Sequence, residues 1–248
     1  MSFASSRNIA TFAHARLGQI WQLLTPLLNA AVYYLLFGLL LQANRGVENY
    51  EAFLIIGVFV FTYTQRSVHS GTVAISGNLN MIRALHFPRA TLPLAFTLIE
   101  LQQLMVSVMV MLAIVLVTGE PVTWAWLLLL PILLLQTMFN TGASLAMARV
   151  GARYPDIRQL LPFMLRAWLY VSGVFYSVDQ FADRTPRLVQ VALEANPGGV
   201  YLELVRGALL RELSVPGQVW AYAVGWAVVV LLAGFWYFYR AEETYGRG

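Results

Sequence analysis

Residues 23–42, 94–118, 124–148 and 217–239 form four almost purely apolar stretches. Each is long enough to cross the hydrocarbon core of a bilayer, which takes about 20 mainly apolar residues as a helix. Hydrocarbon offers no partner to backbone N–H and C=O groups, so segments of this kind must close their hydrogen bonds internally, as helices do. Two weaker candidates complete the pattern. Residues 52–72 are apolar at first and then run through Arg66 and His69, whereas 161–178 are shorter and carry Arg166. Composition agrees, with 59% hydrophobic and only 11% charged residues against about 25% charged in soluble domains. The expected fold is an all-α integral membrane protein with six transmembrane helices. Residues 1–248 show no internal repeat or linker and read as a single transmembrane domain.

All sixteen basic residues are arginine. Without lysine the chain has no P-loop, whose lysine reaches the β- and γ-phosphates, and no Schiff-base site. Cysteine is absent as well, which removes disulfides and thiolate metal sites. The first twenty residues lack the apolar region and cleavage site of a signal peptide. With six spans and both termini cytoplasmic, eleven arginines fall inside and five outside, while eight of the twelve acids fall outside. That bias matches the positive-inside rule, and Trp124, Trp126, Trp220, Tyr222, Trp236 and Tyr239 fall at the expected interfaces.

Two regions are not read as spanning. Residues 3–20 place Ile9, Phe12, Ala13, Leu17 and Ile20 near helical spacing among polar neighbours, which suits an N-terminal interfacial helix. Between spans five and six, Pro186 to Ala195 and Val200 to Arg211 read as two short helices broken at Asn196-Pro197-Gly198-Gly199. They are expected to be short external re-entrant helices, a form tolerated where the backbone is buried in protein. A cap on the outer surface is the alternative.

The loop between spans two and three, Gly77 to Pro93, is compact and basic. Asn78 or Asn80 can cap a short helix there, and Met81, Ile82 and Leu85 share an apolar ridge. Arg83 and Arg89 flank it, with Pro88 and Pro93 stopping the helix. Such a segment fits a docking element, although composition alone favours arginines that satisfy the positive-inside rule and touch lipid phosphates.

Three stretches resemble the membrane subunits of type-2 ABC exporters that move polysaccharides (O-antigen, capsule, teichoic acid). They are Arg83-Ala-Leu-His-Phe87-Pro88-Arg89-Ala-Thr-Leu-Pro93, Leu17-Gly18-x-x-Trp21-x-x-x-x-Pro26-Leu27, and Tyr154-Pro155-Asp156-Ile157-Arg158 with Leu160-Leu161-Pro162. In the third, the family usually has arginine before the aspartate, where this chain has Pro155. The resemblance implies a homodimer with a channel on its axis, in the bacterial plasma membrane. It implies a separate nucleotide-binding subunit that carries ATP and magnesium, so that this chain binds no cofactor or metal and is a transport subunit, not an enzyme. The expected partners are that ATPase, a second copy, membrane lipid and a lipid-linked glycan, with no nucleic acid. Met81, Ile82, Arg83, Leu85, Phe87, Pro88 and Arg89 would form the coupling helix in a cleft of the ATPase. The short helices after span five would be external gate elements.

Glu100 is the one acid placed inside a span, beside Gln102 and Gln103. Intramembrane acids act as relays or substrate contacts; the preferred reading is an intramembrane ion pair with Arg66, or with Arg166. For a glycan channel, aromatic faces come from Tyr33, Tyr34 and Phe37 on span one and from Trp168, Tyr170, Phe175 and Tyr176 on span five, although packing uses the same residue types. His14, His69 and His86 are isolated, and no nucleophile–base or paired-acid pattern is present. Export of a hydrophobic drug and a polytopic glycosyl- or acyltransferase remain the competing readings; the enzyme would want a polar acidic or histidine cluster at one face.

Overall fold

The computed structural model describes residues 20–36, 47–84, 87–177, 186–213 and 215–242. The expected interfacial helix, Phe37, Leu85, His86, and the outer acids Asp179 and Asp183 lie outside them. All regular structure among the described residues is helical: α1 (Ile20–Tyr33), α2 (Tyr50–Ala74), α3 (Leu79–Ala84), α4 (Thr91–Val117), α5 (Leu129–Arg153), α6 (Ile157–Val171), α7 (Arg187–Glu194), α8 (Pro197–Leu209) and α9 (Gly217–Tyr239).

α2 is the centre of the bundle, packed by α1, α4, α5, α6 and α8. Seventeen of its 25 residues are buried, so protein rather than lipid surrounds most of it. This is why a helix carrying Thr64, Ser67 and Arg66 is tolerated at the centre of the bundle. Polar groups on α5 meet it. Gln136 Nε2 donates to Val60 O and to Thr64 Oγ1, both at 3.0 Å, and Tyr63 Oη donates to Thr137 Oγ1 at 3.0 Å. At its start, Asn49 accepts from Ala52 N (3.2 Å) as an N-cap and donates to Thr118 Oγ1 and Glu120 Oε1 beyond α4 (3.1 Å each).

Trp124–Arg153, which is α5 with the tight turn before it, Thr91–Val117 and Gly217–Tyr239 are each long and apolar enough to cross a membrane. They expose Leu98, Val106, Met109, Leu130, Leu134, Val229, Leu232 and Phe235, an apolar exterior suited to lipid. The fifth expected span is shifted and shortened. α6 covers 15 residues, about 22 Å at 1.5 Å per residue, and ends at a Ser172-Gly173 turn in which Gly173 has φ 68°. Positive φ suits glycine there because it lacks Cβ. Pro93 lies in the first turn of α4, where its missing N–H costs nothing; it opens that helix instead of closing the preceding one.

The two short helices appear close to their expected limits. Asn196 separates them: its Oδ1 accepts from Gly198 N (3.1 Å) and from Trp168 Nε1 (2.8 Å), and its amide donates to Ser172 Oγ (3.2 Å). One side chain thus caps α8 and ties it to the end of α6. α8 is buried through Val200, Tyr201, Leu204, Val205 and Ala208.

α5 and α9 make the most extensive helix pair, and their backbones approach closely at Gly142 and Gly234. A Cβ on either glycine would overlap the other helix's backbone, so only small residues allow this contact. Gly142→Val is expected to lower stability by about 1–3 kcal/mol or more through overpacking, read as a fall in the thermal unfolding midpoint in detergent. A Gly142→Ser variant should suffer less. Equal melting of Gly142→Val and the parent would show that the two helices separate freely.

Candidate functional site

The bundle has two chemically different ends. One gathers the start of α2, the end of α4, α7, α8 and the start of α9, with Glu48, Glu51, Glu120, Glu194, Glu203 and Glu212. The other gathers α3, the start of α4 and the ends of α5 and α9, with Arg83, Arg89, Arg149, Arg153, Arg158 and Arg240. Several of these arginines are held by their own protein. Arg149 lies over the Tyr237 ring (4.1 Å) and donates to Tyr237 O, and Arg240 lies over Trp236 (3.9 Å).

At the basic end the loop forms a helix, but its faces are reversed from expectation. Ile82 is buried with Ile75, Leu92, Leu145, Phe238 and Ala241, and Met81 and Phe87 are partly buried against them. The Met81–Ile82 ridge therefore seats α3 on the bundle instead of facing a partner, because a second apolar core waits beneath it. The outward residues are Asn80, Arg83, Ala84 and Pro88. Asn78 caps the end of α2, donating to Ala74 O (2.7 Å). Arg89 is half-buried; its backbone N–H donates to Glu242 Oε1 (3.2 Å), and its Nη1 is buried without a hydrogen-bond partner. Leu85 lies outside the described residues.

Inside the bundle, Glu100 and Arg66 border one cavity of ≈ 10 Å³ with Tyr63, Gln103 and Ser107, room for about one water. They do not form the direct ion pair expected. Arg66 Nη1 donates to Gln103 Oε1 (3.2 Å), one helical turn along α4 from Glu100, and Glu100 Oε2 is buried with no hydrogen-bond partner. No charge pair with Arg166 forms either: that side chain is exposed on α6.

The aromatic residues separate into packing and exposed groups. Phe175 is buried at the edge of the Tyr33 ring (4.7 Å between centroids) and beside Tyr170 (5.3 Å). Trp168 packs edge-on against Phe61 (5.3 Å), and Asn196 takes its N–H. Phe175 is thus a core residue, while Trp168 is partly buried and held to the bundle through Asn196. Tyr170 is exposed, and Tyr34, half-exposed, donates to Glu51 Oε1 (2.9 Å). Tyr33 and Tyr176 are partly buried, and Tyr176 Oη reaches Val171 O at 3.5 Å. Phe37 lies outside the described residues.

Arg206 is the residue that sequence reading passed over. It was counted among the outer arginines, yet it is buried. Nε donates to Phe53 O (3.2 Å), Nη1 to Gly173 O (2.8 Å) and Nη2 to Val174 O (2.8 Å), and the guanidinium sits 3.3 Å from the Phe53 ring centroid. Burial pushes its pKa down to about 9, which leaves it charged at neutral pH. It joins α8 to the start of α2 and to carbonyls at the C-terminal end of α6, where the helix dipole favours a cation. The available signal was an arginine in the middle of the apolar run Leu202–Leu210.

An all-helical bundle with apolar flanks, a basic end and an acidic end is a multi-pass membrane protein. Over residues 2–210 the chain matches the ABC-2 type transporter family, and it belongs to that family. It is 26% identical over 223 residues (90% of this chain, 84% of the relative) to the O-antigen export system permease protein RfbA of Myxococcus xanthus. A Klebsiella pneumoniae protein of the same name is 25% identical over 168 residues (67% and 64%). The polysialic acid transport protein KpsM of Escherichia coli is 22% identical over 249 residues (96% and 92%).

Two stability predictions follow from this geometry. Arg206→Met strands three carbonyls that now accept charged donors, at about 1–3 kcal/mol each. A large loss of thermal stability in detergent is expected, partly recovered by Arg206→Lys. Glu100→Gln should be neutral or stabilising, because no ion pair is broken; removing one partner of a buried pair would instead cost about 3–5 kcal/mol. The same melting assay separates these outcomes.

Proposed function

We propose that this chain is the transmembrane subunit of an ATP-driven exporter that carries a lipid-linked polysaccharide from the cytosol to the outer face of the bacterial plasma membrane. The observation that carries the reading is the placement of α3. It is a short helix fixed to the bundle by Ile82, presenting Asn80 and Arg83 at the arginine-rich end. A rigid cationic knob of this kind suits transmission of movement from a docked ATPase, and the O-antigen and polysialic acid transport functions named for the relatives support the cargo. The arginine bias supports a cytoplasmic basic end and cytoplasmic termini.

In this reading ATP and magnesium stay on the partner subunit, and two copies of this chain enclose the path. α1, α2, α4, α5, α6 and α9 are its six spans. α7 and α8 enter from the outer end as re-entrant gate elements, tied to α6 by Asn196 and Arg206. Among the described aromatic residues, exposed Tyr170 and partly exposed Tyr33, Tyr34 and Tyr176 are left for a path. The coupling face is narrowed from the expected ridge to Asn80, Arg83, Ala84 and Pro88, with Met81, Ile82, Phe87 and Arg89 as its support.

Depletion of the chain in its host should trap lipid-linked glycan on the cytosolic leaflet, measured by lipid extraction and glycan chromatography. Arg83→Glu should insert and fold normally, yet reduce export about tenfold or more and weaken co-purification with the ATPase. Unchanged export by a correctly inserted Arg83→Glu protein would remove the coupling role. Intracellular retention of a hydrophobic drug instead of glycan would favour the drug-exporter alternative.

A further inference from the structure

At the acidic end a cavity of ≈ 240 Å³ opens between the end of α6, α7, α8 and the start of α9. It is smaller than the roughly 300–1,000 Å³ of pockets for drug-sized ligands, which suits one ring rather than a folded organic molecule. Arg206 is at its base, and Tyr176, Glu194, Glu203, Gln218 and Tyr222 stand around it. We propose that this cavity is a subsite for a single neutral, hydroxyl-rich sugar ring of the exported chain; the identity of the cargo as a glycan rests on the exporter reading above.

Three features of the lining select that ligand. The first is unspent hydrogen-bonding capacity. Among the described residues the Glu194 carboxylate, the Gln218 amide and the Tyr222 hydroxyl make no hydrogen bond. They supply acceptors and donors of the kinds that sugar hydroxyls complement. The second is the pair of tyrosines, which offer apolar ring faces beside polar groups, a match for a sugar ring with C–H faces and an O–H rim. The third is charge. Glu194 and Glu203 contribute two negative charges and Arg206 one positive, a balance of −1, and the guanidinium is already turned to three carbonyls. A carboxylated sugar would meet like charge on entry, while a neutral one would not.

The larger groove at the same end, ≈ 810 Å³, is built differently. Three of its four acids hold the protein together: Glu51 accepts from Tyr34, Glu120 from Asn49 and Arg211 N, and Glu212 from Glu48 N. In the smaller cavity Glu194, Gln218 and Tyr222 keep theirs for something else. An occupant would touch the segment after α6 together with α7, α8 and α9, and Arg206 and Asn196 tie α8 to the end of α6.

The test uses the purified full-length chain in nanodiscs and saturation-transfer NMR with four probes: the tetramers of mannose, of galactose and of N-acetylglucosamine, and an α2,8-linked sialic acid tetramer. Saturable binding of at least one neutral tetramer, with the sialic acid tetramer about tenfold weaker or absent, is the expected result. Tyr222→Ala and the exposed-site variant Gln218→Ala, each checked for an unchanged melting midpoint, should weaken neutral binding about tenfold and about threefold. Binding of none of the neutral tetramers, preference for the acidic one, or full binding by both variants would overturn the subsite. The exporter reading is judged separately by glycan retention on depletion, so a protein that passes that assay and binds no tetramer loses the subsite alone.

Discussion

Contact between α2 and α5 organises the rest of the bundle, since it brings polar side chains of one span to polar groups of another where water is excluded. Gln136 bonds Val60 O and Thr64, Tyr63 bonds Thr137, and Gly71 lets Ser144 approach. An unsatisfied amide in hydrocarbon costs several kcal/mol, so α2 has to lie inside the protein and the more apolar α4, α5 and α9 around it. Gly142 and Gly234 then bring α9 onto α5 at backbone contact. Exposed leucines, valines and methionines on the outer helices follow from the same division.

The ends are specialised on top of that frame. At the basic end, α3 is anchored by a small separate core, and Glu242 accepts the Arg89 N–H after α9. A displacement of α3 would therefore be felt by α4, α5 and α9. At the acidic end, Asn196 and Arg206 bind the short helices to α6 and α2 through hydrogen bonds to side chains and carbonyls. Packed helices join these links at the two ends of the bundle.

Much of this was legible in the residues. The apolar runs, the Asn196-Pro197 break and the arginine bias are one-dimensional signals. They report what each segment can tolerate around it, and the structure reproduces three of the apolar runs as long helices and the break between the short ones. The basic loop was equally visible as a short helix with an apolar side. Its direction was not, because amphipathicity states that a face must be covered and leaves open whether a partner or the chain's own core covers it; Ile75, Leu92 and Phe238 cover Ile82. Phe175 misled for the same reason, since aromatic residues serve cores and channels alike, and it is buried. Glu100 and Arg66 share one cavity, but the guanidinium turns to Gln103 on α4.

Membrane residence and helical class are properties of the amino-acid order alone, because lengths and polarity along the chain decide what hydrocarbon will accept. Which face of α3 points outward, the burial of Arg206 against three carbonyls, and the cavity beneath Tyr222 came from folding in three dimensions. Each depends on groups far apart along the chain, Phe53 with Arg206 or Ile82 with Phe238, and no local pattern encodes which distant neighbours a side chain will meet.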